Sequence, residues 1–157
     1  MKIEHTIQLT AEADVVWDWV SSIVKVAECI PGVEDMQEIE SNKRYAATVK
    51  ERIGPFKVAF PMELELVESN KPSMKIKAYG IDKFTKTQVH LDMFVTVQKN
   101  SNTNGTELEL IVDYQMKGKL ATLGQGMVNR KFTEIVEGFA KNLTNVLEGG
   151  SQDARVL

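Results

Sequence analysis

The chain has 157 residues, 43% hydrophobic and 26% charged, with a net charge of −3. That length suits one domain with a real core, and the absence of any basic run or aromatic–basic interleaving excludes a nucleic-acid binder of the basic-patch kind. No stretch approaches the ~20 apolar residues of a membrane helix, the polar opening of residues 1–5 is not a signal peptide, and Cys29 is the only cysteine, so neither an internal disulfide nor a thiolate metal cluster is expected. These features predict a soluble, cytoplasmic protein.

Residues 2–9 alternate, Ile3, His5, Ile7 and Leu9 against Lys2, Glu4, Thr6 and Gln8, which predicts a strand with one buried face. Thr10 reads as a helix N-cap, with Glu12 and Asp14 in the first turn and Val16, Trp17 and Val20 on the apolar side. A second short helix is expected over 22–29, ended by Ile30-Pro31-Gly32. Strands follow. Residues 33–40 are a weak one. Residues 44–53 bring Tyr45, Ala47, Val49 and Ile53 to one face. Gly54-Pro55 turns the chain, and 56–67 alternates from Phe56 to Leu66, with Pro61 marking an edge or a bulge. Met74, Ile76 and Ala78 mark a strand ending near Gly80. Residues 86–98 and 106–116 form two long strands joined by the loop Ser101-Asn102-Thr103-Asn104-Gly105.

From Leu120 to Leu147 apolar residues recur in steps of three and four: Leu120, Leu123, Met127, Ile135, Phe139, Leu143 and Val146, with Val128, Phe132, Val136 and Leu147 beside them. An unbroken helix over 120–147 would be about 42 Å long at ~1.5 Å per residue. Strands joined by short turns are antiparallel. One-sided strands need a cover, and this helix is the element large enough to provide it. The order is strand, two short helices, about six strands, long helix. A single domain over 1–148 with a mobile tail at 149–157 is expected.

Little catalytic chemistry is legible. His5 and His90 lie in separate strands without metal-ligand spacing. Cys29 has no base or cation nearby in sequence and reads as a buried structural thiol. Glu63/Glu65 and Glu107/Glu109 fall on the solvated side of their strands. Gly124-Gln125-Gly126 lacks the third glycine and the β-α-β context of a dinucleotide site. These two glycines weaken a helix by ~1 kcal/mol each relative to alanine, so they mark either a close approach by a ligand or tight packing on the sheet. The methionines and aromatics of the strands and helix either line an adaptable apolar pocket or fill a dry core.

Three motifs bear on those options. Val16-Trp17 followed by Cys29-Ile30-Pro31-Gly32, then Ile53-Gly54-Pro55-Phe56, then Gly118-Lys119-Leu120-Ala121-Thr122-Leu123-Gly124 occur in this order. Together they resemble the CoxG-like family, named for a subunit of carbon monoxide dehydrogenase, within the START-like, SRPBCC helix-grip superfamily. The resemblance implies an α+β helix-grip fold: a curved antiparallel sheet around a long C-terminal helix, two short helices after the first strand, and an apolar cavity between sheet and helix. It implies an accessory factor that binds a lipid- or quinone-like molecule rather than an enzyme, with no cofactor, metal or catalytic residue. It implies a molybdenum hydroxylase of the carbon monoxide dehydrogenase type, or the inner membrane face, as partner. Some relatives reach the membrane through a long C-terminal extension, whereas this sequence stops at Leu157. With the strand alternation, the resemblance puts Phe56, Phe60, Met62, Tyr79, Phe84, Met93, Tyr114, Met116, Leu120, Leu123, Met127 and Phe132 around the ligand, with Tyr79, Tyr114 or Asn129 orienting it. The competing readings are a cyclase or hydrolase of the same fold and an interaction module with a filled core. Ligand identity and oligomeric state are left open.

Overall fold

Each alternating segment becomes a strand because its apolar side is covered while its polar side meets water. The computed structural model describes residues 1–149, with side chains through Glu148. The elements are β1 (Lys2–Leu9), α1 (Ala13–Val20), α2 (Ile23–Ala27), β2 (Val33–Glu40), β3 (Arg44–Ile53), β4 (Phe56–Asn70), β5 (Ser73–Asp82), β6 (Thr87–Lys99), β7 (Thr106–Lys117) and α3 (Gln125–Thr144). A 3-10 turn, Lys119–Leu123, precedes α3 and a π-helical turn, Asn145–Gly149, follows it. The seven strands form one sheet in the order β1-β7-β6-β5-β4-β3-β2, and every pairing is antiparallel. Only β1 leaves the meander: it pairs with β7, and α1 and α2 carry the chain across to the opposite edge. Beyond its first residue, the tail expected at 149–157 lies outside the described residues.

The helix differs from expectation. The helical stretch is not continuous over 120–147; α3 has 20 residues, about 30 Å. The break is Gly124, whose φ of +97° and ψ of 149° no helix accommodates and few residues but glycine adopt. The buried face is also turned. Val128, Val136, Phe139, Ala140 and Leu143 are buried, whereas Met127 and Val146 are 39% and 42% exposed. The N-cap of α1 shifts as well. The helix starts after Glu12 rather than after Thr10; the segment before it is held by the Thr10 backbone N–H, which donates to the Glu148 carboxylate, and by the Thr106 hydroxyl, which donates to Ala11 O at 2.6 Å.

Pro61 sits in an interior strand, yet the local reading holds. Pro61 faces Thr48 on β3, while the ladder to β5 begins only at Met62↔Gly80, so the missing N–H falls where β4 has left that neighbour. Beyond the ladder's end a side chain takes over. Asp82, fully buried, accepts from the Ala59 N–H (3.2 Å), the Thr85 N–H (2.8 Å) and the Thr85 hydroxyl (2.7 Å). The Thr85 and Thr87 hydroxyls lie 2.9 Å apart, and Thr87 accepts from the Leu120 N–H at 3.1 Å. Since the single Thr85 proton goes to the carboxylate, Thr87 donates to Thr85. Burial by itself would raise the Asp82 pKa; the hydroxyl and two amide donors outweigh it and hold the carboxyl below its ordinary value. This network ties the β5–β6 turn to the entrance of the terminal helix.

Candidate functional site

Between the inward strand faces and α3 lies a cavity of about 190 Å³. Its walls come from α2 and the loop after it (Ile23, Val26, Ile30, Pro31), from the middle of β3 to β7, and from Phe132, Ile135, Val136 and Phe139 of α3. No polar or charged side chain lines it, and four of the seven methionines do: Met36, Met62, Met74 and Met93. Two of the inward strand positions that face this space carry alanine, the smallest side chain that could stand there. Ala47 of β3 and Ala78 of β5 both line it. Its size exceeds the ~150 Å³ void that accepts benzene, and lies below the ~300–1,000 Å³ typical of sites for drug-sized ligands. Methionine walls are the kind that yield to a larger guest.

Specific contacts hold α3 against the loop after α2 and against β3. The Pro31 ring packs on Gly138 of α3; a Cβ there would come within 2.7 Å of Pro31 Cγ. The Asn142 side chain donates to Cys29 O at 2.9 Å. Lower on the same helix, Lys131 Nζ lies 3.6 Å from Glu51 of β3 and 3.2 Å from Glu134. The Cys29 thiol is 1% exposed, and burial, then Glu28, pushes its pKa up. At the far wall Tyr114 stacks on Phe132, with centroids 4.0 Å apart and planes at 16°. Its hydroxyl and Asn129 Oδ1 are 3.3 Å apart, and burial raises the phenol pKa, which keeps it a neutral donor.

Of the twelve residues anticipated around the ligand, Met62, Met93 and Phe132 line the cavity. Phe60 and Leu120 belong to a second buried cluster beneath the β3–β4 turn, with Phe56, Met116 and Leu123 packed against it. Tyr114 is a core residue behind Phe132. Met127 is 39% exposed and packs beside Gly54. Tyr79 and Phe84 lie away from the cavity. Strand β5 turns Met74, Ile76 and Ala78 inward, so Tyr79 points outward, where its ring meets that of His90 at 4.5 Å. Phe84 stands at the tip of the β5–β6 turn, 89% exposed. The walls from α2 and β2, and the two alanines, are not among the residues that sequence reasoning points to. Ala47 and Ala78 share the strand parity of their apolar neighbours, which is the available signal, but large side chains weight the reading toward the other end of the sheet.

The other concave region is polar. On the sheet face away from α3, a groove of about 480 Å³ is lined by cross-strand neighbours such as Arg44, Glu65, Lys77 and Asp92. Among the described residues no group of His, Cys, Asp and Glu converges as a metal site, and no helix is long and apolar enough to cross a membrane.

A curved antiparallel sheet gripping a C-terminal helix over an apolar cavity defines a START-like, helix-grip protein. The chain belongs to the CoxG family, named for a subunit of carbon monoxide dehydrogenase, whose model matches residues 6–148. No curated protein matches significantly. Among solved structures, a conserved protein from Geobacillus kaustophilus superposes with a TM-score of 0.82 at 19% identity, covering 94% of this chain and 95% of that one. A START superfamily protein from Mycobacterium smegmatis gives 0.66 at 16% identity, covering 94% and 97%. An aromatase/cyclase from a Streptomyces species gives 0.62 at 14% identity, covering 96% and 98%. At such identities these likenesses establish the fold.

Proposed function

We propose that the protein binds a lipid- or quinone-like molecule in the cavity and serves as an accessory factor to a molybdenum hydroxylase of the carbon monoxide dehydrogenase type, meeting its cargo at a membrane surface. The observation that carries the ligand reading is the wall: every side chain lining the cavity is apolar. Such a wall solvates hydrocarbon and leaves a buried amide without a partner, which costs about 1–3 kcal/mol, and a carboxylate more. The bound portion is therefore an alkyl, isoprenoid or small aromatic segment, with polar groups left at the rim. The same wall supplies no acid, base or nucleophile, so the reading is of a carrier rather than a cyclase or hydrolase. Family membership supports the link to carbon monoxide dehydrogenase.

Native mass spectrometry of freshly purified protein, with titration by a fluorescent naphthalene sulfonate, tests this. A co-purified lipophilic adduct, or saturable probe emission that lipid extracts displace, is expected. Absence of both would leave an interaction module with an unused void. Turnover of a bound compound would restore the enzyme reading.

A further inference from the structure

Three connections meet at one end of the sheet: the β3–β4 turn, the β5–β6 turn and the segment from β7 into α3. The register places them together, since Ile53 pairs with Phe56, Asp82 with Thr87, and Gln88 with Lys117. Residues 52–57, 83–86 and 117–127 contain six Lys or Arg and no Asp or Glu, in a chain whose net charge is −3. All six are exposed, and among the described residues none is within salt-bridge distance of a carboxylate. The acids that adjoin Lys83 and Arg52 in sequence are withdrawn: Asp82 is fully buried, and Glu51 is partly buried against Lys131. From the middle of this cationic end projects Phe84, between Lys83 and Lys86, the most exposed large apolar side chain among the described residues. The buried Asp82–Thr85–Thr87 network holds the turn that presents it. Met127, 39% exposed, lies in the same group of segments.

We infer that this end docks on an anionic phospholipid surface, with Phe84 entering the headgroup layer and Lys57, Lys83, Lys86 and Lys119 lying over the phosphates. The composition favours lipid over an acidic protein. Five of the six cations are Lys, a residue depleted from protein–protein interfaces, where Arg is enriched. Lysine stems lie along apolar surface and extend their charge toward phosphate, and an aromatic ring suits the interfacial layer. The inference deepens the reading that the protein meets a membrane, and assigns the face that does so.

Flotation of the full chain with phosphatidylcholine vesicles, with and without 30% phosphatidylglycerol, at two salt concentrations, tests it. Binding is expected to the anionic vesicles alone and to weaken as salt rises. Lys83→Gln with Lys86→Gln should weaken it about 25-fold, fivefold per lysine, and Phe84→Ser about tenfold. Lys43→Gln with Lys99→Gln, at the opposite end, should bind as the unaltered chain does. Naphthalene sulfonate uptake should be unchanged in all variants, which shows that they are folded. Vesicle binding that ignores the Phe84 and Lys83/Lys86 changes would overturn the face and leave the membrane reading standing. No binding to either vesicle would sink both, and the cavity reading would then rest on the probe titration alone. Capture of an acidic protein by this end, without vesicle binding, would likewise overturn it.

Discussion

Asp82 shows how a single buried charge is made tolerable. Its carboxylate receives three donors within 3.2 Å, and the Thr87 hydroxyl links it onward to the Leu120 amide. Hydrogen bonds to a charged group contribute roughly 1.5–3 kcal/mol. Asp82→Asn should therefore lower stability near neutral pH by about 2–3 kcal/mol, read by urea denaturation. The sign of the pH dependence follows from the depressed native pKa. The ionised form's contribution is complete above the unfolded value of ~3.9 and is lost as pH falls through the lower native value. The stability difference between the native chain and Asp82→Asn should thus shrink below about pH 4. A constant difference down to pH 2 would contradict the assignment. Two of its donors come from Thr85, three residues on, but the Ala59 amide, and Leu120 beyond Thr87, come from other elements, so the network around Asp82 is not legible in the local sequence.

The terminal helix carries two neighbouring glycines with opposite roles. Gly124 holds the positive φ that separates the 3-10 turn from α3, so Gly124→Ala should destabilise by about 1 kcal/mol or more. Gly126 lies within α3, and a Cβ there would meet nothing within 4 Å. Gly126→Ala should raise stability by up to ~1 kcal/mol, a rise of about 2–4 °C in Tm for a chain of this size, readable by calorimetry. Of the two sequence-level options for these glycines, tight packing on the sheet is excluded by the open space around both. Gly138, which carries no signal in the sequence, is the glycine within α3 that needs its small size. Gly138→Ala would push the Pro31 ring away from α3, and should loosen the α2–β2 loop, seen as faster amide exchange at residues 29–33.

At the scale of the molecule, the void between sheet and helix is the feature on which the proposed carrier role rests. Ala47→Leu and Ala78→Leu each add three carbons to its wall. Each should preserve the fold, shift stability by no more than about 2 kcal/mol in either direction, and reduce naphthalene sulfonate affinity at least about tenfold. Retained affinity in both variants, with near-UV circular dichroism unchanged, would place the probe elsewhere. The strands themselves were legible. Alternation identified every strand from Ile3 to Met116 except the one at 33–40, since a half-buried strand cannot hide its period of two. The strand at 33–40, weak in sequence, proved to be the exposed edge β2, irregular in register against β3.

What the linear order of residues determined was the inward parity of each strand, the antiparallel meander, the covering helix and, through three short motifs, the family. These depend on neighbours one to four positions apart or on segments compared as segments. What tertiary structure alone decided was where along each strand the sheet stands clear of the helix. That depends on alanines from distant strands and on how the loop after α2 meets Gly138. Filled and empty space have the same hydrophobic alternation, because parity sets the direction in which a side chain points but not how far the opposite wall stands from it.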